Sequence, residues 1–208
     1  MPDDRSLNTM TSAVITVGEG GRGFVVKGRY HRLVITAAHC LPFLPPAISF
    51  SFTEEKTYQD LLAPLGEQPS IWAECMFVDC IADIAILGPP DSQNLGDQSD
   101  AYEELVDAGE AFEISNPTRK SRASLLSLEN QWFKCNVQHL GGPLWISDAA
   151  ASIEGGMSGS PIVAKDGTAI GVMCTAGGIG DDTVHTQGGP NPRLFGNLPG
   201  WYFELLRR

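Results

Sequence analysis

The chain has 208 residues, 42% of them hydrophobic and 19% charged, a balance that excludes disorder throughout and allows one large domain or two packed halves. Its net charge of −11 would repel the phosphates of a nucleic acid and an anionic lipid surface. The sequence shows neither a basic stripe nor an apolar run of about 18 residues. We therefore expect no nucleic-acid partner and no membrane partner.

The amino-terminal segment and the cysteines predict a cytoplasmic protein. The first ten residues are polar and acidic, without the basic and apolar regions of a secretory signal. The cysteine count is odd and no C-x-x-C spacing occurs, which predicts reduced thiols and no structural zinc site at Cys40, Cys75, Cys80, Cys135 and Cys174. We expect no metal and no cofactor.

Short apolar runs, punctuated by 23 glycines and 14 prolines, predict an all-β sandwich or barrel. In chain order the predicted strands are Ala13–Val17, Gly23–Val26, Leu33–Thr36, Ile48–Phe52, Ile71–Val78 and Asp83–Leu87, then Ala111–Ile114, Leu125–Leu128, Trp132–Val137, Pro161–Val163 and Ala169–Cys174. Asp166-Gly167 between the last two runs predicts a short hairpin turn.

Helix signals are few. Asp100–Ala108 is long enough for two turns, and Leu198–Arg208 predicts a helix with proline in its first turn and arginines near its end. The segments Leu41–Pro46 and Pro89–Asp100 predict loops, and Asn116–Arg122 a connector between two halves.

Three motifs follow one another along the chain. They are TAAHC at Thr36–Cys40, DIAIL at Asp83–Leu87 and GMSGSP at Gly156–Pro161. Each by itself fits an ordinary structural role: a surface or core histidine, an aspartate at a strand start, and a glycine-rich loop. Only their combination and order indicate a catalytic site.

The order His, Asp, Ser in a chain of many short strands resembles the chymotrypsin-like (trypsin-fold) serine peptidases. The resemblance implies an all-β protein of two packed antiparallel six-stranded β-barrels with a short C-terminal helix. It implies a single peptidase domain, made of an N-terminal barrel (residues 1–112) with His39 and Asp83 and a C-terminal barrel (residues 113–208) with Ser158. The cleft would lie between the barrels.

The same resemblance assigns roles to the motif residues. Ser158 is the expected nucleophile, His39 the base that takes its proton, and Asp83 the partner that fixes the histidine tautomer. The backbone N–H groups of Gly156 and Ser158 are the expected oxyanion hole. The expected reaction is cofactor-free hydrolysis of a protein or peptide substrate.

Two residues depart from the commoner family pattern. Met157 stands where digestive members carry an aspartate that pairs with a newly cleaved N-terminus, and no I-V-G-G-like start is present. This predicts no zymogen activation of that kind and a pattern closer to bacterial, HtrA-like members, here without a PDZ domain. Cys174 stands where many members have a serine that supports the aspartate. Because a thiol donates weakly, that support is either poorer or comes from Thr175.

The resemblance also places a substrate pocket at Ser152, Ile153, Cys174, Thr175 and Ala176. These residues carry no charge, which disfavours a Lys or Arg side chain on the acyl side of the scissile bond. A small-to-medium apolar residue is expected there.

Three functional readings remain open at this point. The first is a serine endopeptidase, gated by a regulatory protein partner or free of one. The main alternative is a pseudopeptidase or inactive-state binding module for a partner protein. The third is an esterase or amidase acting on small substrates.

Overall fold

Two antiparallel β-sheets of six strands each form the framework of the structure. The structure is a computed structural model that describes residues 4–28, 31–45, 55–91, 93–139, 141–175 and 187–206. The predicted strand Ile48–Phe52 and the pocket residue Ala176 lie outside these residues.

The first sheet closes into a barrel. Its strands are Val14–Val17 (β1), Gly21–Val26 (β2), Leu33–Thr36 (β3), Thr57–Pro64 (β4), Ile71–Asp79 (β5) and Ile84–Gly88 (β6). They lie in the order β1-β2-β3-β6-β5-β4, and β4 pairs back onto β1. Because a closed barrel has no free edge, every strand here is paired on both sides. Aliphatic side chains such as Ile15, Val25 and Leu62 fill its interior.

The second sheet is curled. Its strands are Lys120–Leu126 (β7), Trp132–His139 (β8), Leu144–Ser147 (β9), Pro161–Ala164 (β10), Ala169–Val172 (β11) and Gly188–Asn191 (β12), in the order β11-β10-β7-β8-β9-β12. The backbone after β12 reaches the opposite edge strand, where the Val172 N–H donates to the Pro192 carbonyl at 3.1 Å. The curl therefore brings the two edges of the sheet together.

Helices lie at the ends of the chain and beside the first barrel. They are Asp4–Met10 (α1), Gly96–Asp107 (α2), Leu194–Asn197 (α3) and Gly200–Leu206 (α4). Helix α2 buries Tyr102 and Val106 against the barrel. Within the described residues, no helix is both long and apolar enough to cross a membrane.

A shared core joins the two sheets. Phe24 of β2 meets Phe112 edge-to-face, with ring centroids 5.8 Å apart. Leu126 of β7 and Tyr202 of α4 belong to the same buried cluster. Because apolar burial is the main stabilising contribution in such a cluster, this core fixes the two sheets relative to each other.

The predicted fold class is confirmed: two six-stranded antiparallel β-structures with short C-terminal helices. The predicted strand Ala111–Ile114 is wrong, since Phe112 and Ile114 make only single bridges, to Val26 and Ala169. The C-terminal helix begins at Gly200, because Leu198 has an extended backbone.

Four elements had no clear sequence signal. Strand β4 is interrupted by polar residues, and β9 is short. Strand β12 has the sequence GGPN, which β-propensity alone disfavours, yet it pairs with β9. Helix α1 is only seven residues long. In each case tertiary pairing or packing supplies what local preference does not.

Candidate active site

His39 and Asp83 form a directly bonded pair. His39 lies in the short 3₁₀ turn Ala38–Cys40 that follows β3, and Asp83 immediately precedes β6. Strands β3 and β6 are paired, with Thr36 opposite Ala85, which brings the two residues together. The His39 Nδ1 lies 2.6 Å from Asp83 Oδ2, and the His39 backbone N–H donates to Asp83 Oδ1 at 2.9 Å. The Asp83 carboxylate therefore contacts both the imidazole ring and the backbone of His39.

A tight turn presents the Asp83 side chain to the histidine. Asp83 has a left-handed backbone with φ of +59°, a conformation that aspartate tolerates better than most residues. The preceding turn is held by Asp79, whose Oδ1 accepts the N–H groups of Ile81 and Ala82 at 2.9 and 3.0 Å. The strand therefore begins after Asp83, at Ile84, rather than at Asp83 as the sequence predicted.

Cys174 contacts Asp83 from the second sheet. Its thiol donates to the Asp83 backbone carbonyl at 3.2 Å. Burial, reinforced by the charge of Asp83, raises the pKa of the Cys174 thiol far above its ordinary value, so it stays protonated and remains a donor. The Thr175 hydroxyl instead donates to Asn191 Oδ1 at 3.2 Å. The alternative that Thr175 supports Asp83 is therefore not seen, and the described contact comes from the weaker donor Cys174.

Ser158 lies in the loop Glu154–Ser160, here called the serine loop. Gly156 and Gly159 have left-handed φ values of +92° and +84°, which glycine adopts without a Cβ penalty. The Ser158 carbonyl accepts the backbone N–H of Arg22 at 2.8 Å. The N–H groups of Gly156 and Ser158 have no acceptor among the described residues, so both are free to bind a ligand oxygen.

Met157 anchors the serine loop from inside the second sheet. Its side chain is 1% exposed. Its Sδ accepts the Glu154 N–H at 3.3 Å, and its own N–H donates to the Glu154 carbonyl at 3.2 Å. A buried thioether thus occupies the position at which the resemblance to digestive peptidases would place a charged aspartate.

Ser158 and His39 line the same open cleft of about 750 Å³. The other described lining residues are Gly18, Glu19, Gly20, Gly21, Cys40, Leu41, Pro42, Gln59, Asp60, Leu61, Gln68, Pro69 and Gly156. The described part of the chain shows no hydrogen bond between the Ser158 hydroxyl and His39. Among the described lining residues the acidic side chains are Glu19 and Asp60, and none is Lys or Arg.

Of the predicted pocket residues that the structure describes, none lines the cleft shared by Ser158 and His39. Ile153 is buried and Ser152 is half-buried. A Cβ placed on Gly188 would lie 3.0 Å from Ile153 Cδ1 and 3.7 Å from Met173 Cε. Glycine at that position therefore lies close to two apolar side chains and to the Thr175 carbonyl oxygen, which is 3.7 Å from the same Cβ position.

Two residues near the site were missed by the sequence analysis. Arg22 bonds to the serine loop, and its only sequence signal is a charge between two glycines at the start of an apolar run. The buried Asn191 accepts the Cys174 N–H at 2.8 Å and the Thr175 N–H at 3.2 Å through its Oδ1. A lone asparagine beside a proline gave no signal for that role.

The chain belongs to the trypsin-like peptidase domain family, which its residues 21–172 match. Membership in a peptidase family implies protein substrates. None of the curated proteins matches this chain in sequence.

Two of the solved structures with a similar fold illustrate the likeness. One comes from work on aromatic interactions in the coupled folding and binding of the intrinsically disordered Sesbania mosaic virus VPg protein. That chain is 15% identical, with a TM-score of 0.54 over 88% of this chain and 86% of that chain. The other is the MamO protease domain from Magnetospirillum magneticum, 16% identical, with a TM-score of 0.51 over 90% of this chain and 94% of that chain. At these identities the likeness shows the trypsin-like double-barrel fold.

Proposed function

We propose that this protein is a serine endopeptidase that uses His39, Asp83 and Ser158. One observation carries the proposal: the Asp83 carboxylate bonds to the ring Nδ1 of His39 at 2.6 Å and to its backbone N–H at 2.9 Å, beside a cleft that His39 and Ser158 both line. An aspartate in this arrangement leaves Nε2 as the basic nitrogen of the neutral imidazole.

The proposed reaction proceeds through an acyl-enzyme. The Ser158 Oγ attacks the carbonyl carbon of the scissile bond and transfers its proton to His39 Nε2. The N–H groups of Gly156 and Ser158 stabilise the oxyanion. The C–N bond then breaks, and His39 returns the proton to the leaving amine. Water repeats the attack on the ester and releases the acid and free Ser158.

The serine loop is proposed to form without a cleaved N-terminus, in the manner of bacterial, HtrA-like members. The contact between Met157 and Glu154 and the Arg22–Ser158 hydrogen bond support this view, because both lie within the chain itself. A cytoplasmic location is proposed as well. It is supported by free thiols at all five cysteines, which suit a reducing compartment.

Intact-mass detection of a fluorophosphonate adduct tests the proposal directly. The reagent phosphonylates an activated serine with loss of fluoride, so we expect one adduct on the wild-type chain and none on Ser158→Ala. Ser160→Ala is the matched control, because it removes a neighbouring hydroxyl that is buried and unpaired within the described residues. We expect that variant to be labelled like the wild type.

A wild-type chain without an adduct would contradict an active site formed in isolation and would favour the binding-module alternative. An adduct that persists in Ser158→Ala would assign the reactivity to another residue. A regulatory protein partner stays a prediction, and labelling that appears only after a partner is added would support it.

Substrate selection provides a second prediction. The side chains nearest to Gly188 are those of the apolar Ile153 and Met173, so burial of an unpaired Lys or Arg cation beside them is unfavourable. In a peptide library we expect small-to-medium apolar residues to be preferred on the acyl side of the scissile bond. Their kcat/KM should be at least about tenfold higher than that of substrates with Lys or Arg there. Ile153→Ala should shift the preference toward larger apolar residues. Equal cleavage after Lys or Arg would contradict the prediction.

A further inference from the structure

Arg22 is a buried cation that links the two sheets. It lies in β2 of the first barrel and is 6% exposed. Its guanidinium donates at 2.9–3.4 Å to four neutral acceptors in the second sheet: the carbonyls of Leu126, Ser127 and Leu128 and the Asn130 side chain. These acceptors lie at the end of β7 and in the turn before β8. A guanidinium presents several donors in a rigid fork, so one side chain fixes the whole turn.

The main chain of Arg22 contacts the serine loop directly. Its N–H donates to the Ser158 carbonyl at 2.8 Å. Its own carbonyl accepts the Thr36 hydroxyl at 2.6 Å and lies where a Cβ on Gly159 would be, 1.7 Å away. The Ser158–Gly159 peptide therefore rests on the Arg22 backbone with no room for a side chain.

The turn that the guanidinium binds contacts the serine loop at Gly156, near the opposite end of the loop from Gly159. Leu128 lies in this turn, and its Cδ2 is 3.3 Å from the position of a Cβ on Gly156. Leu128 is 39% exposed, so its contact with Gly156 depends on the position of the turn more than on a surrounding core. Arg22 thus touches Ser158 through its main chain and approaches Gly156 through the turn.

Burial of the guanidinium charge by itself lowers the stability of the fold. Desolvation lowers the pKa of the Arg22 guanidinium, an effect that the Glu129 charge partly opposes. The described hydrogen bonds of the guanidinium go to neutral oxygens rather than to a carboxylate. An apolar residue of similar size would avoid that cost at a site whose only task is packing.

We propose that Arg22 is a positioning residue that keeps the N–H groups of Gly156 and Ser158 converging on one point. The inference rests on the proposed function, because those two donors are the proposed oxyanion hole. Arg22 contacts no reacting atom. It acts through the Ser158 carbonyl and through the turn that packs on Gly156. Loss of the guanidinium would release the turn and misdirect one donor.

Arg22→Met tests the proposal, with Arg32→Met as its matched control. Arg32 also caps backbone carbonyls, those of Val106 and Gly109 at 2.8 and 2.5 Å, but at the end of α2. We expect both variants to have a lower melting temperature than the wild type. Only Arg22→Met should lose kcat, by about 10²-fold with KM within about threefold, as for removal of one oxyanion donor. Arg22→Lys should recover about tenfold of that loss.

Amide hydrogen exchange supplies a readout that does not need activity. In Arg22→Met, the peptide that covers residues 154–159 should exchange faster than in the wild type, and in Arg32→Met it should not. Unchanged kcat in Arg22→Met, or equal exchange of that peptide in both variants, would overturn the proposal. If Arg22→Met does not fold, Arg22→Lys is compared in the same two measurements, and wild-type values for both would overturn it.

The wild-type fluorophosphonate result separates the two claims. If the wild-type chain forms no adduct, the proposed function is contradicted. The hydrogen-exchange comparison would still decide whether Arg22 orders the serine loop. Formation of the adduct, together with equal kcat in wild type and Arg22→Met, would overturn only the positioning role.

Discussion

Replacement of Asp83 by Asn is expected to lower kcat by about 10⁴-fold while the fold is kept. In the wild type, one carboxylate oxygen faces His39 Nδ1 and the other accepts the His39 backbone N–H. An amide has only one acceptor oxygen. If that oxygen faces the backbone N–H, the NH₂ group faces Nδ1 and the proton moves to Nε2. The imidazole then has no basic nitrogen toward Ser158.

The backbone does not confound this substitution. Asn tolerates the left-handed φ of +59° at least as well as Asp, so the turn should be unchanged. The loss is measured as kcat on a peptide ester, with circular dichroism to confirm the fold. Asp79→Asn is the matched control in the same turn, since its amide oxygen can still accept the two N–H groups that Asp79 binds. Asp83→Asn within tenfold of the wild type would contradict the assigned role.

Replacement of Gly159 by Ala is expected to disrupt the serine loop and to lower the free energy of unfolding by about 3–5 kcal/mol. The added Cβ would lie 1.7 Å from the Arg22 carbonyl oxygen and 2.7 Å from Thr36 Oγ1. The backbone must therefore move. We expect the hydrogen bond that the Gly159 N–H donates to the Met173 carbonyl at 2.7 Å to break first. We also expect fluorophosphonate labelling to fall by about 10²-fold or more, because Ser158 moves with the loop.

Gly167→Ala separates the overlap from the backbone preference. Gly167 has a similar φ of +90°, but a Cβ there would meet nothing within 4 Å. This control should show only the left-handed penalty of about 1–2 kcal/mol and should be labelled normally. Urea denaturation and labelling rates measure both effects. Equal destabilisation by the two substitutions would show that the contact with Arg22 is not the limiting feature.

The proposed site depends on both sheets at once. His39 and Asp83 come from the first barrel, and Ser158 comes from the loop before β10 of the second sheet. Hydrogen bonds across this boundary include those from Cys174 to Asp83, from the Arg22 main chain to the serine loop and from the Arg22 guanidinium to the turn before β8. Any movement of one sheet against the other would therefore change the approach of Ser158 to His39.

The motifs made most of the candidate site predictable. TAAHC begins at the last residue of β3, and DIAIL begins one residue before β6. These two strands are paired, so the predicted proximity of His39 and Asp83 matches the structure. The glycines of GMSGSP occur where positive φ values are found. Strands with branched apolar residues, such as β3 and β6, were also predicted within one residue. These features are local, because they depend on side-chain type and spacing along the chain.

Other features needed contacts between distant parts of the chain. Strand β12 forms because β9 offers a partner, although GGPN has little strand preference. Arg22 gave no functional signal, because its acceptors lie more than 100 residues away. The choice between Cys174 and Thr175 depended on Asn191, which accepts the Thr175 hydroxyl and leaves Cys174 toward Asp83.

By itself, the sequence determined the all-β class, the membership suggested by three ordered motifs, and the residue types available for chemistry. Patterns of apolar residues, glycines and short motifs carry that information, because each reflects the preference of a few neighbouring residues. Only the tertiary structure decided that Cys174 rather than Thr175 contacts Asp83, that a buried thioether anchors the serine loop, and that Arg22 spans the two sheets. Those contacts depend on how distant strands pair and pack, and a linear spacing does not encode such distances.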